Sequence, residues 1–368
     1  MLKLLVIGNG CSGIDSGGEV LVNSNTGSFL NELSNNFDIS FLQKSKLLSY
    51  DSDLQNFQIS SSNIKYVSLP DNGFQLRQLW IILKSVRSSE FIYLFWPGTV
   101  SKIAALLALA FGRKYALYVR GQFYSNGFVD ELIIKRAKFL LTVSNSLKDS
   151  LANFNSNVDT IRPMIDIDIR SKKYYEKSRF AGDEIKLLFV GRVEVRKGVF
   201  DLLEAFNILI EHGVNASLTI IGGGSAISDI RYIVQKYSIE NRVTIRGMIA
   251  NRDELLNSYY AADAFVFPSH DEGFPRVLYE SMSMRLPIFT TFVGGIPGLM
   301  EDQYNCMRIP VRNPIETARI VQEALMDSNK LELIGNNGYR TLEEYLDTHK
   351  AEHYDLVTRG ILNEQGNK

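Results

Sequence analysis

The chain has 368 residues, of which 45% are hydrophobic and 22% are charged, and its net charge is −1. This is the composition of an ordinary globular protein that is long enough for two domains, which excludes a disordered chain. A near-neutral chain has no overall attraction for polyanions, so we expect no nucleic-acid partner.

The chain opens with an apolar segment that ends at Gly8 and is shorter than the core of a signal peptide. The longest apolar tract, Val100–Gly112, contains Lys102 and falls short of the roughly 20 residues that cross a bilayer. We therefore expect a cytoplasmic protein. The tract is either a buried helix or a helix that also makes peripheral contact with the inner face of the cell membrane.

Short apolar segments alternate with helical lengths along the whole chain. In the first half they are residues 2–8, 37–43, 63–69, 91–97, 114–121 and 139–145, and in the second 185–192, 216–222, 242–247, 263–269 and 286–291. Strands that are apolar almost throughout and are joined by helices are typical of parallel sheets covered on both faces. The sequence therefore predicts an α/β fold with two such sheets.

Segment Arg162–Glu184 is rich in charge and tyrosine and lacks a clear period. It predicts a linker between a first domain of residues 1–165 and a second domain of residues 166–346. The remaining segment, about residues 347–368, predicts the end of a polar C-terminal helix. That helix either caps the second domain or packs back on the first.

Two strand ends in the second half carry residues suited to an anion. Gly191 and Arg192 follow one predicted strand, and Lys197 comes shortly afterwards. A guanidinium and an ammonium at the carboxyl end of a parallel strand suit a diphosphate, although two solvated basic residues would look the same. The glycine run Gly222–Gly224 after the next strand is either a phosphate approach or a plain turn. Neither stretch has the glycine spacing of a nicotinamide enzyme.

Two carboxylates, Glu272 and Glu280, lie eight positions apart around a Gly-Phe-Pro turn. They could be an acid/base pair, a metal site, a hydroxyl-binding pair or two solvated charges. Pro275 has the fixed φ of a first helical residue, which predicts a helix that begins at Pro275 and continues through residues 276–285. The N-terminus of that helix would offer unpaired N–H groups to an anion or a sugar hydroxyl.

The segment EGFPRVLYE, Glu272–Glu280, resembles the Glu-x7-Glu element of the retaining glycosyltransferases of family 4. The segments VGRVEVRKGVFDLLEAF before it and LPIFTTFVGGIPG after it have the spacing of that family, and the resemblance covers about Ile185–Tyr345. It implies a GT-B fold, in which two Rossmann-like domains face each other across a cleft. It also implies transfer of a sugar from a nucleotide diphosphate sugar to an acceptor hydroxyl with retained configuration.

The resemblance assigns a donor site to the second domain. Arg192 and Lys197 would neutralise the diphosphate, and Glu272 would hold hydroxyls of the donor sugar, which makes these three the catalytic candidates. Glu280 would accept hydrogen bonds from the ribose. The implied donor-binding residues are Gly191, Arg192, Lys197, Gly222, Glu272, Gly273, Phe274, Pro275, Val277, Leu278 and Glu280.

The first domain resembles the family less closely. Gly17 and Gly18 lie in a long version of the glycine-rich loop that follows the family's first strand, where the alternative is a flexible surface loop. Arg120 would support the leaving phosphate or form a structural ion pair. Many family members have a histidine near the reacting sugar, but no histidine precedes His212, so no general base is assigned. Gly298 also replaces the glutamate of the family's Gly-Gly-Ile-Pro-Glu turn.

No cofactor or metal ion is expected, because the Asp-x-Asp segments at Asp51–Asp53 and Asp166–Asp168 do not follow predicted strands. With only two distant cysteines and no ligand-like histidine spacing, neither a disulfide framework nor a zinc site is predicted. The expected partners are a nucleotide sugar donor and a glycan or lipid-linked glycan acceptor, as in O-antigen or capsule biosynthesis. The alternatives are a sugar-nucleotide hydrolase or epimerase of the same fold and a non-catalytic nucleotide-sugar-binding protein.

Overall fold

The computed structural model describes residues 1–47, 57–59, 63–70, 76–120, 127–162, 179–180, 182–348 and 351–366. The chain divides into two compact units. Unit 1 comprises Met1–Arg162 and His349–Lys368, and unit 2 comprises Pro163–Thr348. Both Asp-x-Asp segments and most of the predicted linker lie outside the described residues.

Unit 1 contains a nine-stranded sheet. Its strands are β1 Leu2–Ile14, β2 Val20–Val22, β3 Phe37–Leu47, β4 Phe57–Gln58, β5 Lys65–Pro70, β6 Phe91–Trp96, β7 Lys114–Val119, β8 Leu140–Thr142 and β9 Val158–Thr160. The first five helices are α1 Ser24–Ser34, α2 Leu76–Ser88, α3 Thr99–Ala110, α4 Phe128–Arg136 and α5 Asn145–Ala152.

Seven strands of this sheet form parallel ladders in the order β5-β3-β1-β6-β7-β8-β9. The first strand therefore lies inside the sheet, and the strand order reverses between β1 and β6. Core residues such as Leu5, Ile92 and Leu117 are fully buried under the helices. This is the doubly wound arrangement in which ligands bind outside the carboxyl ends of the strands at the reversal point.

The glycine-rich stretch after the first predicted strand forms a strand extension and a hairpin. β1 runs on to Ile14 through a shift in its register, and it then pairs with β2 as an antiparallel hairpin. Gly17 and Gly18 form the turn of that hairpin. The N–H of Gly17 donates to Asp15 Oδ1 at 2.8 Å, and the N–H of Gly18 donates to the Asp15 carbonyl at 3.1 Å. Both N–H groups are therefore occupied within the turn, which corrects the expected loop conformation.

Unit 2 contains a six-stranded sheet in the order β12-β11-β10-β13-β14-β15, and every ladder is parallel. Its strands are β10 Ile185–Val190, β11 Ala216–Ile221, β12 Val243–Gly247, β13 Ala264–Phe267, β14 Ile288–Thr290 and β15 Met307–Arg308. Its helices are α6 Val199–Glu211, α7 Ile227–Lys236, α8 Arg252–Ala261, α9 Arg276–Ser283, α10 Pro314–Leu325 and α11 Ser328–Thr348. The strand order reverses between β10 and β13.

The predicted C-terminal helix is two helices. α11 ends at Thr348, and α12 spans His353–Gly366 and belongs to unit 1. Glu364 of α12 lies 3.2 Å from the Lys114 ammonium and 3.4 Å from that of Lys138. The sequence pattern missed the break because polar residues continue through it. Every predicted strand coincides with an observed strand, which confirms the α/β class.

Candidate functional site

Two loops that follow neighbouring strands of unit 2 are tied together. One loop follows β10 and the other follows β13, and the two strands are adjacent at the point where the strand order reverses. The carbonyl of Arg196 in the first loop accepts the N–H of His270 at 2.9 Å and the hydroxyl of Ser269 at 3.2 Å. Parallel sheets of this order bind ligands at this position.

Gly198 permits the close approach of these two loops. Its φ is +69°, and a Cβ atom built on it would lie 1.9 Å from the carbonyl oxygen of Pro268. Glycine adopts this left-handed conformation without steric penalty, and no larger residue fits against the backbone. The preceding short 3₁₀ helix, Val195–Lys197, therefore has a defined position beside the loop after β13.

Lys197 and Glu272 are 75 residues apart in the sequence, but their side chains form an ion pair between Nζ and Oε1. Their side chains are only 11% and 9% exposed, respectively. The Ser269 hydroxyl donates to the same carboxylate oxygen at 3.0 Å. An ammonium has three protons and a carboxylate has two acceptor oxygens, so each group keeps capacity for a ligand.

A second cluster of charges in the same loop contains Arg192, Glu194 and Arg196. Glu194 lies 3.1 Å from the Arg192 guanidinium and 2.8 Å from Nε of Arg196. The hydrogen bond from Arg196 lowers the pKa of Glu194, and the nearby positive charges act in the same direction. Arg192 remains 59% exposed. Sequence reasoning proposed Arg192 as a ligand of the diphosphate and missed the carboxylate of Glu194 that holds it.

The glycines of the β10 and β11 loops are explained by backbone packing. A Cβ atom on Gly222 would lie 1.8 Å from the Gly191 carbonyl, and one on Gly224 would lie 2.2 Å from the Val193 carbonyl. The Val193 N–H also donates to the Gly223 carbonyl at 2.9 Å. These glycines therefore bring two loops together, whether or not a phosphate approaches them as well.

Helix α9 begins one residue later than the sequence predicted. Pro275 has φ −75° and ψ 130°, which is an extended conformation, so it precedes the helix rather than occupying its first turn. No side chain caps this end of α9. The Leu278 N–H donates to the Pro275 carbonyl at 3.1 Å, and the N–H groups of Arg276 and Val277 precede it at the positive end of the helix dipole, shortly after the loop that carries Glu272.

Glu280 lies in the middle of α9, and both of its carboxylate oxygens accept hydrogen bonds from α8. Arg252 donates to Oε1 at 2.9 Å, and the buried Tyr259 hydroxyl donates to Oε2 at 2.7 Å. Burial raises the pKa of Tyr259, and the Glu280 charge raises it further, so the phenol stays protonated and keeps donating. Glu280 thus joins two helices and keeps a defined orientation.

The remaining predicted donor residues differ in exposure. Leu278 is fully buried in the core and Val277 packs against that core, so Leu278 has only main-chain atoms to offer a donor. The Phe274 ring packs on Tyr279 with ring centroids 4.5 Å apart. The carbonyl of Gly273 accepts the N–H of Gly295 at 2.7 Å. The Gly-Gly-Ile-Pro-Gly turn therefore supports the loop after β13.

Unit 1 has its own cluster at the reversal point of its sheet. The Arg120 guanidinium donates to Asn9 Oδ1 at 2.9 Å, and Asn9 Nδ2 donates to the Pro97 carbonyl at 3.2 Å. The Arg120 guanidinium carbon also lies 5.2 Å from the Phe95 ring centroid and 5.3 Å from that of Tyr118. An exposed cation held by an amide and two rings is preorganised for an anion. Asn9 was missed because nothing in the sequence links it to Arg120.

His353 of α12 places a histidine in unit 1, although none precedes His212 in the sequence. Its ring stacks on Phe29 with centroids 4.2 Å apart, and its Nε2 lies 2.7 Å from the Tyr93 hydroxyl. Burial lowers the pKa of His353 to about 3, and the charge of Arg120 contributes in the same direction. The ring is only 3% exposed, so we assign it to packing and not to the vacant general-base role.

Among the described residues, no three His, Cys, Asp or Glu side chains are grouped as a metal ion would require. Metal-independent chemistry stays a prediction. In the described part of the chain, no helix is both long and apolar enough to cross a bilayer.

Comparison with known proteins finds similarity mainly in the second half of the chain. Residues 171–341 match the family profile described as Glycosyl transferases group 1. An uncharacterized glycosyltransferase of Methanocaldococcus jannaschii is 29% identical over 61% of this chain and 58% of that protein. The capsular polysaccharide biosynthesis glycosyltransferase CapM of Staphylococcus aureus is 23% identical over 59% of this chain and 60% of that protein. The chain thus spans less than two thirds of the length of either relative.

Solved structures resemble the chain over its whole length. HepE of Anabaena, in complex with UDP, has a TM-score of 0.70 at 16% identity, covering 99% of this chain and 100% of that chain. Sucrose-phosphate synthase of Thermosynechococcus elongatus has a TM-score of 0.66 at 16% identity and covers 100% of both chains. Residues 171–341, slightly less than half of the chain, therefore resemble the group 1 glycosyltransferases, and the fold of the chain is the two-domain α/β fold of the GT-B glycosyltransferases.

Proposed function

We propose that this protein is a retaining glycosyltransferase of family 4. It moves a sugar from a nucleotide diphosphate sugar to a hydroxyl of a glycan or lipid-linked glycan, without a metal ion. The observation that carries the proposal is the Lys197–Glu272 ion pair, which lies at the reversal point of the unit 2 sheet. The uncapped N-terminus of α9 begins four residues after Glu272.

The chemistry of this pair fits the bond that has to break. Negative charge develops on the departing diphosphate, and preorganised cations and helix N–H groups stabilise such charge without reorganising. Lys197 has protons left after binding Glu272, and Arg192 can turn from Glu194 to a phosphate. Glu272 Oε2 receives no hydrogen bond from a described residue, so it is available to a sugar hydroxyl.

Retention of the donor's anomeric configuration is proposed from the family resemblance. It is not inferred from any distance between residues of unit 2. In this mechanism the acceptor oxygen attacks on the face of the leaving group, and the departing diphosphate receives the acceptor's proton. No carboxylate is needed as a nucleophile, and Glu272 serves to orient the sugar through charge-assisted hydrogen bonds. Arg120, held by Asn9 in unit 1, is proposed as the acceptor-side cation, with Gly17 and Gly18 as lower-ranked acceptor-side residues.

The proposed pathway is the synthesis of a bacterial surface polysaccharide, such as O-antigen or capsule. Two relatives are named for such pathways: CapM for capsular polysaccharide, and TuaC of Bacillus subtilis as a putative teichuronic acid biosynthesis glycosyltransferase. HepE was solved with UDP-glucose as well as with UDP. UDP-sugars are therefore the first donors to test.

The test is a panel of nucleotide sugars, with the melting temperature of the protein as the readout. A bound donor stabilises the folded state by mass action, about 2.7 kcal/mol at a hundred times its Kd. We expect one donor to raise the melting temperature of the wild type and not of Lys197→Ala or Glu280→Ala. If either variant keeps a normal shift and normal turnover, the donor-site assignment is wrong.

Two further measurements test the mechanism with the donor found in this panel. NMR of the product should show the donor's anomeric configuration, and an inverted linkage would overturn the family 4 proposal. EDTA should leave the rate unchanged, whereas a loss restored by Mg²⁺ or Mn²⁺ would overturn metal independence. Donor consumption without any acceptor would favour a hydrolase or epimerase, and donor binding without turnover would favour a non-catalytic binding protein.

A further inference from the structure

The outer face of α2 in unit 1 exposes a tryptophan among cations. Trp80 is 59% exposed, and the Lys84 ammonium lies 5.2 Å from its ring centroid. Arg77, Trp80, Lys84 and Arg87 follow each other at intervals of three or four residues, so they lie on one face of the helix. The opposite face of α2 is buried through Gln78, Ile82 and Val86.

The same surface continues on the loop between α3 and β7. Phe111 is 40% exposed, and the Arg87 guanidinium carbon lies 5.2 Å from its ring centroid. Arg113 donates to the Arg87 carbonyl at 2.7 Å, which joins the loop to the end of α2. We name this surface the α2 patch, and its members are Arg77, Trp80, Lys84, Arg87, Phe111 and Arg113.

The α2 patch is strongly basic in a chain that is almost neutral. Residues 76–120 contain a single acidic residue, Glu90, which accepts the Lys3 N–H at 2.9 Å. Their basic residues are Arg77, Lys84, Arg87, Lys102, Arg113, Lys114 and Arg120. Within the described part of the chain, no carboxylate pairs with a cation of the α2 patch, whereas Lys102 pairs with Asp130 at 2.6 Å.

Helix α3 contains most of the apolar tract Val100–Gly112, and it packs against the core of unit 1. Its small residues Ser101, Ala104, Ala105 and Ala108 are buried, so most of that tract belongs to the core of unit 1. Phe111, at its end, reaches the α2 patch. The tract identified in the sequence therefore lies mainly inside, and the exposed aromatic and basic face belongs to the neighbouring helix.

We propose that the α2 patch docks unit 1 on an anionic lipid bilayer. Tryptophan favours the boundary between headgroups and acyl chains, and lysine and arginine are attracted to anionic headgroups. Exposed aromatics next to cations that no described carboxylate pairs fit this partner better than an acidic protein, which would leave the two rings in water. The proposal names the membrane contact of the proposed transferase, but its test does not depend on the donor chemistry.

Vesicle binding by the full chain tests the proposal directly. The chain has two tryptophans, and Trp96 is 3% exposed, so a change in emission on adding vesicles reports on Trp80. We expect vesicles containing phosphatidylglycerol to shift the emission to the blue, and brominated lipids to quench it. Vesicles of phosphatidylcholine alone should bind far more weakly, because headgroup charge supplies much of the attraction.

Variants of the patch separate the contributions of the ring and the charges. Trp80→Ala should abolish the spectral change and weaken sedimentation with phosphatidylglycerol vesicles about ten-fold. The double variant Lys84→Ser/Arg87→Ser should weaken binding about 25-fold, at about five-fold per cation. Trp80→Phe keeps an aromatic ring and should retain most of the binding, which guards against a variant that merely fails to fold.

Matched controls lie on α7 of unit 2. Tyr232 is 67% exposed, so Tyr232→Ala removes an exposed aromatic, and Arg231→Ser/Lys236→Ser removes two cations. Neither should alter vesicle binding. The proposal is wrong if the wild type ignores phosphatidylglycerol vesicles, or if Trp80→Ala binds them as the wild type does. It is also wrong if the controls lose as much, or if Trp80→Ala abolishes a self-association seen by sedimentation, which would assign the face to a second copy.

Discussion

At the scale of single residues, the candidate donor site is built from charges that are already paired. Lys197 is held by Glu272, and Arg192 is held by Glu194. A diphosphate would have to share or displace these carboxylates. The two pairs differ in burial, since Lys197 is 11% exposed and Arg192 is 59% exposed. We expect Lys197 to keep its partner when a donor binds and Arg192 to change its own.

The exposed pair leads to a prediction about Glu194. Glu194→Gln removes the charge that competes with a phosphate for Arg192 and Arg196, so the variant should bind the nucleoside diphosphate more tightly. An exposed ion pair contributes roughly 0.2 to 1 kcal/mol, which sets the gain at up to about five-fold. Calorimetric titration measures it, with the exposed Glu204→Gln of α6 as the control. Weaker binding in Glu194→Gln would mean that this carboxylate positions the arginines.

Glu280 has two explanations, which nucleotide analogues can separate. It ties α8 to α9 through Arg252 and Tyr259, and it is also the predicted ribose ligand. If it binds ribose, the wild type should prefer the ribonucleoside diphosphate to its 2′-deoxy analogue, and Glu280→Ala should lose that preference. Tyr259→Phe should lower the melting temperature, because a hydrogen bond to a charged group contributes about 1.5 to 3 kcal/mol. The same variant should keep the preference for the ribonucleoside diphosphate. An unchanged preference in Glu280→Ala would leave only the structural role.

At the scale of elements, the regular strands were predictable and the contacts between loops were not. Apolar runs located the strands because buried parallel strands are apolar throughout. The two- and three-residue strands β2, β4, β9 and β15 were missed because a period cannot be detected over so few residues. The break between α11 and α12 was missed because polar residues continue through it.

In the candidate site, too, the residues were predictable from the sequence and the contacts between loops were not. Glu272 and Lys197 were each predicted from their local segments and from the family resemblance. Their pairing depends on β10 and β13 being neighbours in the sheet. Neither sequence segment contains information about the order of the strands. Asn9 escaped notice for the same reason, since it meets Arg120 only because the strands of unit 1 bring them together.

The loop contact at Gly198 leads to a prediction at this scale. Gly198→Ala adds a left-handed strain of about 1 to 2 kcal/mol and also a clash with the Pro268 carbonyl, so the β10 and β13 loops must separate. We expect loss of donor binding and a lower melting temperature. Gly213→Ala is the matched control, because Gly213 has φ +80° and open space around its Cβ position. Equal effects in the two variants would show that strain alone matters, and not the approach of the loops.

At the scale of the whole molecule, α12 contributes to the core of unit 1, and His353 makes that contribution sensitive to pH. The folded pKa of about 3 lies below the ordinary value of about 6.5. As pH falls from 6.5 towards 3, the unfolded chain takes up a proton that the folded chain does not, so the free energy of unfolding decreases. Above pH 6.5 this contribution is fully present.

The predicted loss between pH 7 and pH 5 is about 2 kcal/mol from this single group. In His353→Phe the ring cannot be protonated, so the melting temperature should depend less on pH over this interval. His212→Phe is the matched control, because it removes an exposed imidazole from unit 2. If His353→Phe keeps the pH dependence of the wild type, the buried ring is not the group responsible.

The membership of α12 in unit 1 also sets an order of events during synthesis. Although most of unit 1 is made first, its aromatic core around Phe29 and Tyr93 is completed by His353, which is translated after all of unit 2. While residues 353–366 of a nascent chain are still inside the ribosome, unit 1 lacks α12 and unit 2 has all of its residues. Pulse proteolysis of ribosome-bound chains should accordingly find unit 2 resistant before unit 1, the reverse of the order in which they are translated.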